Sequence, residues 1–469
     1  MSNASADPCF HEGPLFATIV GTVLLPGRAG GKGSVGMAEV LDWKRRLEGK
    51  EARKALADLY GAAAESQAKR YLGLAESALR GEGGGVPASA DLRFYSAPGR
   101  TELGGNHTDH NRGRVLCAAV DLDAVACVVP RDDGLVVLVS EGYPGEIRVE
   151  LSELEPVPSE RGSTAAFVRG VARGLSDYMA GRSRLRGFSA RVSSRVLPGS
   201  GLSSSAAFEV LLAEAMADLA EIALEPVEAA KIGQYAENAF FGKPCGLEDQ
   251  AASAVGGIIT IDFADPSAPI VERVDYDFGA KGYELVIVNT GGSHADLTPE
   301  YAAVTAEMRS VANLMGASYL REVDPAAIVA RGPEIRRSCG DRAFLRALHF
   351  VAENGRVGCM VRALESDHFD VYLEHVKASG RSSWELLQNV YPSGAREEQG
   401  LSVALALTER FLGREGAWRL QGGGFAGTIQ AYVPRKRVRE YKRFMEGYFG
   451  PGSAITAMMR APGAVRVAL

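Results

Sequence analysis

The sequence predicts a mixed α+β fold of two or three domains, on two observations. Stretches with strand-like alternation precede and interleave with amphipathic helices, instead of alternating with them one by one. The chain has 469 residues, of which 46% are hydrophobic and 23% charged, enough for two or three domains with cores of their own. We therefore expect an α+β protein and not a regular doubly wound sheet.

Helices are predicted where apolar residues recur with a period near 3.6. From Trp43 to about Leu79, Ala52, Ala55, Leu56 and Leu59 keep this spacing beside a charged outer face. A helix is expected at 164–179, two more after residue 203, a mostly helical stretch over 298–412 and a last helix near 436–448. These segments should cover sheets built from the strands.

Strands are predicted where apolar and polar residues alternate or β-branched residues cluster. DLRFYSA should form one that Pro98 and Gly99 end. The other predicted strands are 114–120, 124–130, 135–140, 146–151, 187–193, 257–263, 283–289 and the two that flank the glycines of WRLQGGGFAGTIQAYVP. The turn-rich ADPSAP at 264–269 suggests an N-terminal lobe over 38–280 and a C-terminal lobe over 281–469.

The first 37 residues are expected to be a disordered leader outside these lobes. The apolar run LFATIVGTVLL at 15–25 is too short to span a bilayer, and acidic residues precede it where a signal peptide carries basic ones. GRAGGKGS at 27–34 is not a P-loop, because Lys32 is followed by Gly33 and Pro26 stands at the first glycine position. We expect no membrane segment.

Charge and cysteine content exclude further classes of protein. The formal net charge is -6, so the chain lacks the overall positive field of a nucleic-acid binder. The six cysteines are scattered without a CxxC pair, which argues against a structural zinc site or a disulfide framework. A reducing cytoplasm is the expected location; the oligomeric state stays open, with a monomer as the working expectation.

A glycine-rich turn followed by serines begins one predicted helix, in VLPGSGLSSSAAFEVLLAEAM at 196–216. Gly199 and Gly201 allow close approach of a ligand, and the free amides at the helix start attract anions. The alternative is that Ser203 and Ser204 only cap the helix. Three serines after a GxG exceed what capping needs, so phosphate binding is favoured.

Three further stretches carry chemistry less plainly. Gly422, Gly424 and Gly427 have GxGxxG spacing, but a strand follows them where a dinucleotide site needs a helix, so either a structural hairpin or a turn close to a ligand is possible. Asp249 stands at a predicted helix start, where an aspartate is usually a cap, and Glu237 could be a surface carboxylate. NHTDHN at 106–111 is polar throughout, which suggests that it binds a ligand.

Taken together, these stretches resemble the GHMP small-molecule kinases, and most closely the galactokinases. PGRTELGGNHTDHNRG is similar to their signature, PGSGLSSSAAFEV to their phosphate-binding motif, GKPCGLEDQ to the segment with the catalytic aspartate, and RLQGGGFAGTIQAYV to their third motif. The four motifs stand in the family's order over about 93–433. The resemblance implies a two-lobed fold with the active site in the cleft between the lobes.

The resemblance also implies roles for individual residues. Asp249 matches the general base, Arg100 the arginine beside it, and Ser205 and Glu237 the ligands of Mg²⁺. The residues matched to the ATP phosphates are Pro198, Gly199, Ser200, Gly201, Leu202, Ser203, Ser204, Ser205 and Ala206, together with Gly423 and Gly424 of the third motif. Those matched to the sugar are Asn106, His107, Asp109, Cys245, Gly246 and Tyr301. A metal site made of His107, His110 and Asp109 is the rejected alternative, since no fourth ligand is apparent.

The implied activity is ATP-dependent phosphorylation of the anomeric hydroxyl of galactose. Asn106, however, stands where the family has a glutamate for the C6 hydroxyl, Glu248 replaces a methionine, and Thr101 and Glu102 replace Val-Asn. We therefore expect relaxed discrimination at C6, and Asn106→Glu should raise kcat/KM for galactose by about tenfold and abolish any activity on galacturonate. A kinase for a C6-variant sugar such as galacturonate or a pentose is one alternative. A non-catalytic sugar sensor is the other.

Overall fold

Two β-sheets organise the part of the chain that this computed structural model describes, residues 37–81, 91–196, 201–292 and 297–469. The helices are α1 Met37–Leu47, α2 Lys50–Tyr60, α3 Ala64–Arg80, α4 Thr164–Met179, α5 Ser204–Leu219, α6 Pro226–Tyr235, α7 Glu248–Val255, α8 Thr298–Leu314, α9 Pro325–Ala330, α10 Gly332–Cys339, α11 Asp341–Glu365, α12 Phe369–Ser382, α13 Gly400–Leu412 and α14 Val438–Phe449. The strands are β1 Arg93–Gly104, β2 Arg114–Arg131, β3 Leu135–Ser140, β4 Ile147–Glu150, β5 Gly187–Ser194, β6 Ile258–Asp262, β7 Ile270–Val274, β8 Tyr283–Asn289, β9 Ala417–Leu420, β10 Thr428–Pro434, β11 Ala454–Ala457 and β12 Val465–Val467. The mixed α+β prediction is confirmed.

The larger sheet has the strand order β12-β1-β2-β5-β3-β4, with β6 and β7 added beside one half of β2. Residues of β1 alternate between its two faces, so Phe94 packs with the cluster of α1–α3 while Tyr95 packs with that of α4–α7. Val125 and Ala126 of β2 divide in the same way. The sheet is therefore covered by helices on both faces.

The smaller sheet has the order β11-β8-β10-β9, with all neighbours antiparallel. One face, with Val286 and Ile429, packs against α13 and α14, and the other, with Tyr432, packs against Tyr372 of α12. The turn between β9 and β10 contains the glycines of the third motif. This turn approaches the start of α5 and the loop after β1, where the candidate site lies.

The predicted end of the first strand at Pro98 and Gly99 is wrong. The strand continues to Gly104, and its register against β2 shifts between Pro98 and Arg100. A Cβ atom at Gly99 would lie 2.8 Å from the carbonyl oxygen of Leu202, whose oxygen also accepts the Arg100 amide at 3.0 Å. The Pro-Gly pair is thus a bulge that brings the strand against the glycine-rich loop, a common feature beside active sites.

The strands predicted at 114–120 and 124–130 are one strand, β2, and three short strands were missed. Asp121 and Asp123 interrupt the apolar runs of the two predicted strands, but Asp123 pairs with Pro98 of β1 and is buried. The missed strands are β7, β11 and β12, of five, four and three residues, too short for a clear alternation. Strand β12 pairs with β1 of the larger sheet.

The lobe limits at 38–280 and 281–469 stay a prediction, although β12 shows that the C-terminal residues return to the larger sheet. The expected leader lies outside the described residues except for Met37, which begins α1. None of the helices in the described ranges combines the length and the apolar composition that a membrane span requires.

Candidate active site

Arg100 and Asp249 form an ion pair where the bulge of β1 meets the start of α7. Two guanidinium nitrogens of Arg100, Nε and NH2, each lie 2.7 Å from Asp249 Oδ1. The hydroxyl of Ser203 donates to the other oxygen, Oδ2, at 2.5 Å. Asp249 does not use its side chain to cap α7. The capping explanation for this aspartate is therefore not what the structure shows.

The electrostatic surroundings keep Asp249 charged. Burial alone would raise the pKa of Asp249, but the positive charge of Arg100 and the hydrogen bonds from Ser203 and Arg100 outweigh it and hold that pKa below its usual value. The Asp249 side chain keeps 32% of its surface exposed, against 9% for Arg100. The pair thus presents an ionised carboxylate with one open side.

The glycine-rich loop ends against both partners of this pair. The carbonyl oxygen of Gly201 accepts from Arg100 NH1 at 2.5 Å and from Gln421 Nε2, in the third motif, at 3.0 Å. Ser203 has a left-handed backbone with φ 58° and makes no cap hydrogen bond, so the capping interpretation of this serine is wrong. Pro198, Gly199 and Ser200 lie outside the described residues; Leu202 lies shortly before α5, and Ser204 and Ala206 lie in its first turn.

Ser205 and Glu237 meet at the first turn of α5. Glu237 is buried in a π-helical turn, Ala236–Phe241, which extends α6, and its Oε1 accepts from Ser205 Oγ at 3.1 Å. Lys243 Nζ lies 3.2 Å from the same oxygen, and Gln250 Nε2 donates to Oε2 at 2.9 Å. Glu237 is therefore not the surface carboxylate that the sequence also allowed.

A hydroxyl and a carboxylate at this separation fit Mg²⁺, which commonly takes one or two protein oxygens and completes its shell with phosphate oxygens and water. The described residues contain no cluster of three or more His, Cys, Asp or Glu side chains placed to hold a metal. His107 Nδ1 and His110 Nε2, members of the rejected histidine site, lie 3.3 Å from each other.

The NHTDHN loop lies against the third motif. His107 Nε2 is 2.9 Å from the carbonyl oxygen of Gly423, and its ring stacks on Tyr301 with centroids 6.5 Å apart. A Cβ atom at Gly423 would lie 2.5 Å from a ring carbon of Tyr301, so only glycine fits there. The Tyr301 hydroxyl donates to the carbonyl oxygen of Gly424 at 2.9 Å. The predicted sugar loop and the glycine turn therefore form one surface.

Asp109, within this loop, lies against the segment before α7. A Cβ atom at Gly246 would come within 2.3 Å of Asp109 Oδ2, which brings the Cys245–Gly246 backbone next to that carboxyl group. Burial raises the pKa of Asp109, although the neighbouring His107 opposes the shift. Burial likewise raises the pKa of the Cys245 thiol, so it is uncharged at neutral pH.

Asn106 has a different environment from the other predicted sugar ligands. It is 1% exposed, and its Nδ2 donates to the carbonyl oxygen of Gly422 at 2.7 Å and to Glu102 Oε1 at 3.1 Å. Its Oδ1 accepts from Ser383 Oγ at 3.2 Å and from Asn389 Nδ2 at 2.9 Å. Both ends of the amide are engaged by the protein, so this arrangement does not support the expected contact with a sugar C6 hydroxyl.

Sequence reasoning did not find several residues around the site. Lys243 beside Glu237 and Gln421 on Gly201 stand in quoted motifs, where a cation or an amide was a possible signal. Arg419 pairs with Glu102 Oε1 at 2.5 Å, and Asn389 binds Asn106, across 317 and 283 residues of sequence. No local pattern marks partners so far apart in the chain.

Known proteins of similar sequence were found for most of the chain. Residues 162–257 match the family described as GHMP kinases N terminal domain, and residues 86–130 match the galactokinase galactose-binding signature. The galactokinase of Streptomyces coelicolor is 34% identical over 363 residues, covering 76% of this chain and 88% of the relative. That of Actinobacillus pleuropneumoniae serotype 3 is 29% identical over 349 residues, covering 74% and 87%.

Solved structures agree with the sequence relatives. The galactokinase of Lactococcus lactis in complex with galactose superposes with a TM-score of 0.71 at 25% identity, covering 83% of this chain and 98% of that one. A mevalonate kinase superposes with a TM-score of 0.56 at 16% identity and shares the fold alone. The chain adopts the GHMP kinase fold and belongs to the galactokinase family.

Proposed function

We propose that this protein transfers the γ-phosphoryl group of ATP to the anomeric hydroxyl of galactose, giving galactose 1-phosphate and ADP. The observation that carries the proposal is Asp249, an ionised and partly open carboxylate between Arg100 and Ser203 at the edge of the phosphate-type loop. A general base needs this protonation state and a free side for the hydroxyl it deprotonates. The choice of galactose as the substrate rests on the similarity to galactokinases.

The chemical step begins at the anomeric hydroxyl. Asp249 accepts its proton, the sugar oxygen attacks the γ-phosphorus, and the bond to the bridging oxygen of ADP breaks. Arg100 lies on the same carboxylate and would also stabilise the negative charge that develops on the sugar oxygen. Phosphoryl transfer asks for positioning and charge neutralisation above all, and these residues supply both.

The ATP phosphates would lie at the start of α5. Gly201, Leu202 and Ser203 precede α5, and Ser204 and Ser205 lie in its first turn, where the backbone amides are free and favour anions. Ser205 and Glu237 would hold Mg²⁺, which, when bound, neutralises charge on the phosphates. Lys243 adds a positive charge beside Glu237.

The sugar would be held by the surface that His107, Asp109, Gly246 and Tyr301 share. Polar side chains around buried backbone suit a ligand with several hydroxyls, because each can donate or accept a hydrogen bond. Asn106 would act by supporting the loop from behind. We place the reaction in the cytoplasm, where thiols stay reduced; the cysteines in the described ranges, Cys117, Cys127, Cys245, Cys339 and Cys359, are free.

A sugar panel tests this proposal. ADP release should be measured with galactose, with galacturonate, with arabinose as a pentose lacking C6, and with no sugar, and the product identified by phosphorus NMR. Galactose should give the highest kcat/KM and a 1-phosphate product. Higher kcat/KM on galacturonate or the pentose would favour the C6-variant kinase. Binding of galactose and ATP without ADP release would favour the sensor.

A further inference from the structure

Glu248 is a buried carboxyl group that the proposed chemistry does not use. It is the first residue of α7, immediately before Asp249, and only 8% of its surface is exposed. Its Oε1 has no hydrogen-bond partner in the part of the chain that the structure describes. A buried carboxylate without donors is costly, whereas the neutral acid is much less so.

Arg100, the cation that acts on Glu248, and the donors around the neighbouring Glu102 are committed to other acceptors. Arg100 uses Nε and NH2 on Asp249 and NH1 on Gly201. Arg419 and Asn106 both donate to Glu102, the second glutamate that departs from the family signature. Thus Glu102 has the partners of an anion and Glu248 does not.

The charges that face Glu248 also disfavour its ionisation. Burial raises the pKa of Glu248 well above its usual value, and the nearby Glu102 on β1 raises it further. Asp249 on its own helix and Asp109 in the NHTDHN loop act in the same direction, and Arg100 opposes them. Cys117 on β2, whose thiol pKa burial raises, faces the group as a neutral side chain.

We propose that Glu248 is a positioning residue that works as a neutral acid: uncharged, it leaves Arg100 to Asp249, and ionised, it draws Arg100 away and slows the reaction. The inference rests on the proposed roles of Asp249 and Arg100. Loss of its proton to solvent is the only chemical change involved. A methionine in the same place, as in the family signature, would leave Arg100 to Asp249 at every pH.

Thermal stability tests the protonation state without any activity. A carboxyl group with a raised folded pKa keeps its proton while the unfolded chain loses it, so stability falls as pH rises above about 4.3, the ordinary glutamate value. The difference in Tm between Glu248→Gln and the wild type should therefore grow in favour of the variant from pH 5 to pH 9. Glu51→Gln, on an exposed face of α2, is the matched control and should show no such trend. A constant difference, or one in favour of the wild type, would overturn the neutral-acid assignment.

The pH profile of kcat tests the positioning role. With galactose and saturating ATP, the wild type should lose about tenfold in kcat on the alkaline side as Glu248 ionises. Glu248→Gln should keep its neutral-pH kcat within about twofold and lack that fall, while Glu248→Asp, still ionisable, should retain it. An unchanged alkaline fall in the glutamine variant, or none in the wild type up to pH 10, would overturn the role. If the wild type fails to phosphorylate galactose, the proposed function fails, while the stability test is still decided.

Discussion

Two aspartates paired with arginine, the buried Asp123 and the partly exposed Asp249, are alike in electrostatics and differ in their access to solvent. Both have a lowered pKa, since arginine charges outweigh a burial effect that alone would raise it. The Asp123 side chain is 0% exposed, and that of Asp249 is 32% exposed. An ionised buried aspartate is therefore not by itself a sign of catalysis.

The difference lies in how the acceptor capacity of each carboxylate is used. An ionised carboxylate can accept about four hydrogen bonds. Asp123 accepts from groups on four separate segments, namely Tyr60, Arg70, Ser96 and Arg460. Asp249 accepts from Arg100 and Ser203 alone among the hydrogen bonds of the described residues. The first site joins α2, α3 and the C-terminal segment to the sheet, and the second keeps room for a substrate hydroxyl.

The largest expected effect comes from removing the buried charge of Asp123. Asp123→Asn removes the charge that both Arg70 and Arg460 face, and breaking a buried ion pair costs about 3–5 kcal/mol. Denaturant unfolding should show that loss, while kcat of the folded fraction at low temperature should stay near wild type. A lowered folded pKa means that ionised Asp123 contributes its full stability above the ordinary value of about 3.9. The Tm gap between the two proteins should therefore stay constant down to about pH 4 and narrow as the pH falls further.

A loss of kcat without loss of stability in Asp123→Asn would show that this cluster takes part in the reaction. That result would remove the distinction between the two aspartates.

The pair of Arg100 and Asp249 should give the opposite result, a large loss of kcat with little loss of stability. Asp249→Asn should lower kcat by about 100-fold or more, equivalent to about 2.7 kcal/mol, because an amide cannot accept the proton. Its Tm should change by only a few degrees, since Arg100 keeps the Gly201 carbonyl as an acceptor. Steady-state kinetics and thermal unfolding on the same preparation measure both. Near-native kcat, or unfolding of the variant, would return Asp249 to a structural role.

Local patterns predicted the regular elements well. The limits of α4, Thr164–Met179, and of β8, Tyr283–Asn289, agree with the sequence prediction because periodicity and flanking turn residues coincide there. The Pro98–Gly99 pair has the same composition as a turn, yet it is a bulge, since its partner Leu202 lies far along the chain. Strand ends that depend on distant contacts could not be read locally.

The candidate site shows the same division. The motif around Asp249 predicted a helix start, and the structure has one. Whether that aspartate caps the helix or faces Arg100 depends on a contact across 149 residues, which no local pattern contains. The role of Asn106 was predicted from its position in the family signature alone. Its environment is set by Ser383 and Asn389, which lie 277 and 283 residues further along the chain.

Asn106 extends the comparison between Asp123 and Asp249, because its side-chain amide is buried and hydrogen-bonded by the protein as the Asp123 carboxylate is. Asn106→Glu would place a second carboxylate against Glu102 and remove the donor to the Gly422 carbonyl. We expect a loss of about 1–3 kcal/mol in stability and no gain in kcat/KM for galactose, in place of the tenfold gain that the sequence suggested. Glu102→Asn combined with Asn106→Glu restores a single carboxylate and should recover part of the loss. A tenfold gain in the single variant would show that Asn106 reaches the sugar.

The smallest expected effect concerns Ser205. Its hydroxyl donates to the buried Glu237, so it combines a structural contact like those of Asp123 with a position beside the candidate site of Asp249. If the hydroxyl only supports the first turn of α5, Ser205→Ala should cost about 1 kcal/mol in stability with an unchanged dependence on Mg²⁺. If it is a ligand of the metal, the Mg²⁺ concentration for half-maximal rate should rise several-fold, and calorimetry should show weaker Mg²⁺-dependent ATP binding. We expect the second result, since Mg²⁺ with few protein ligands is sensitive to the loss of one. Ser204→Ala, one residue earlier in the same turn, is the control and should leave the Mg²⁺ titration unchanged; equal shifts in both variants would assign the effect to the helix start and not to a ligand.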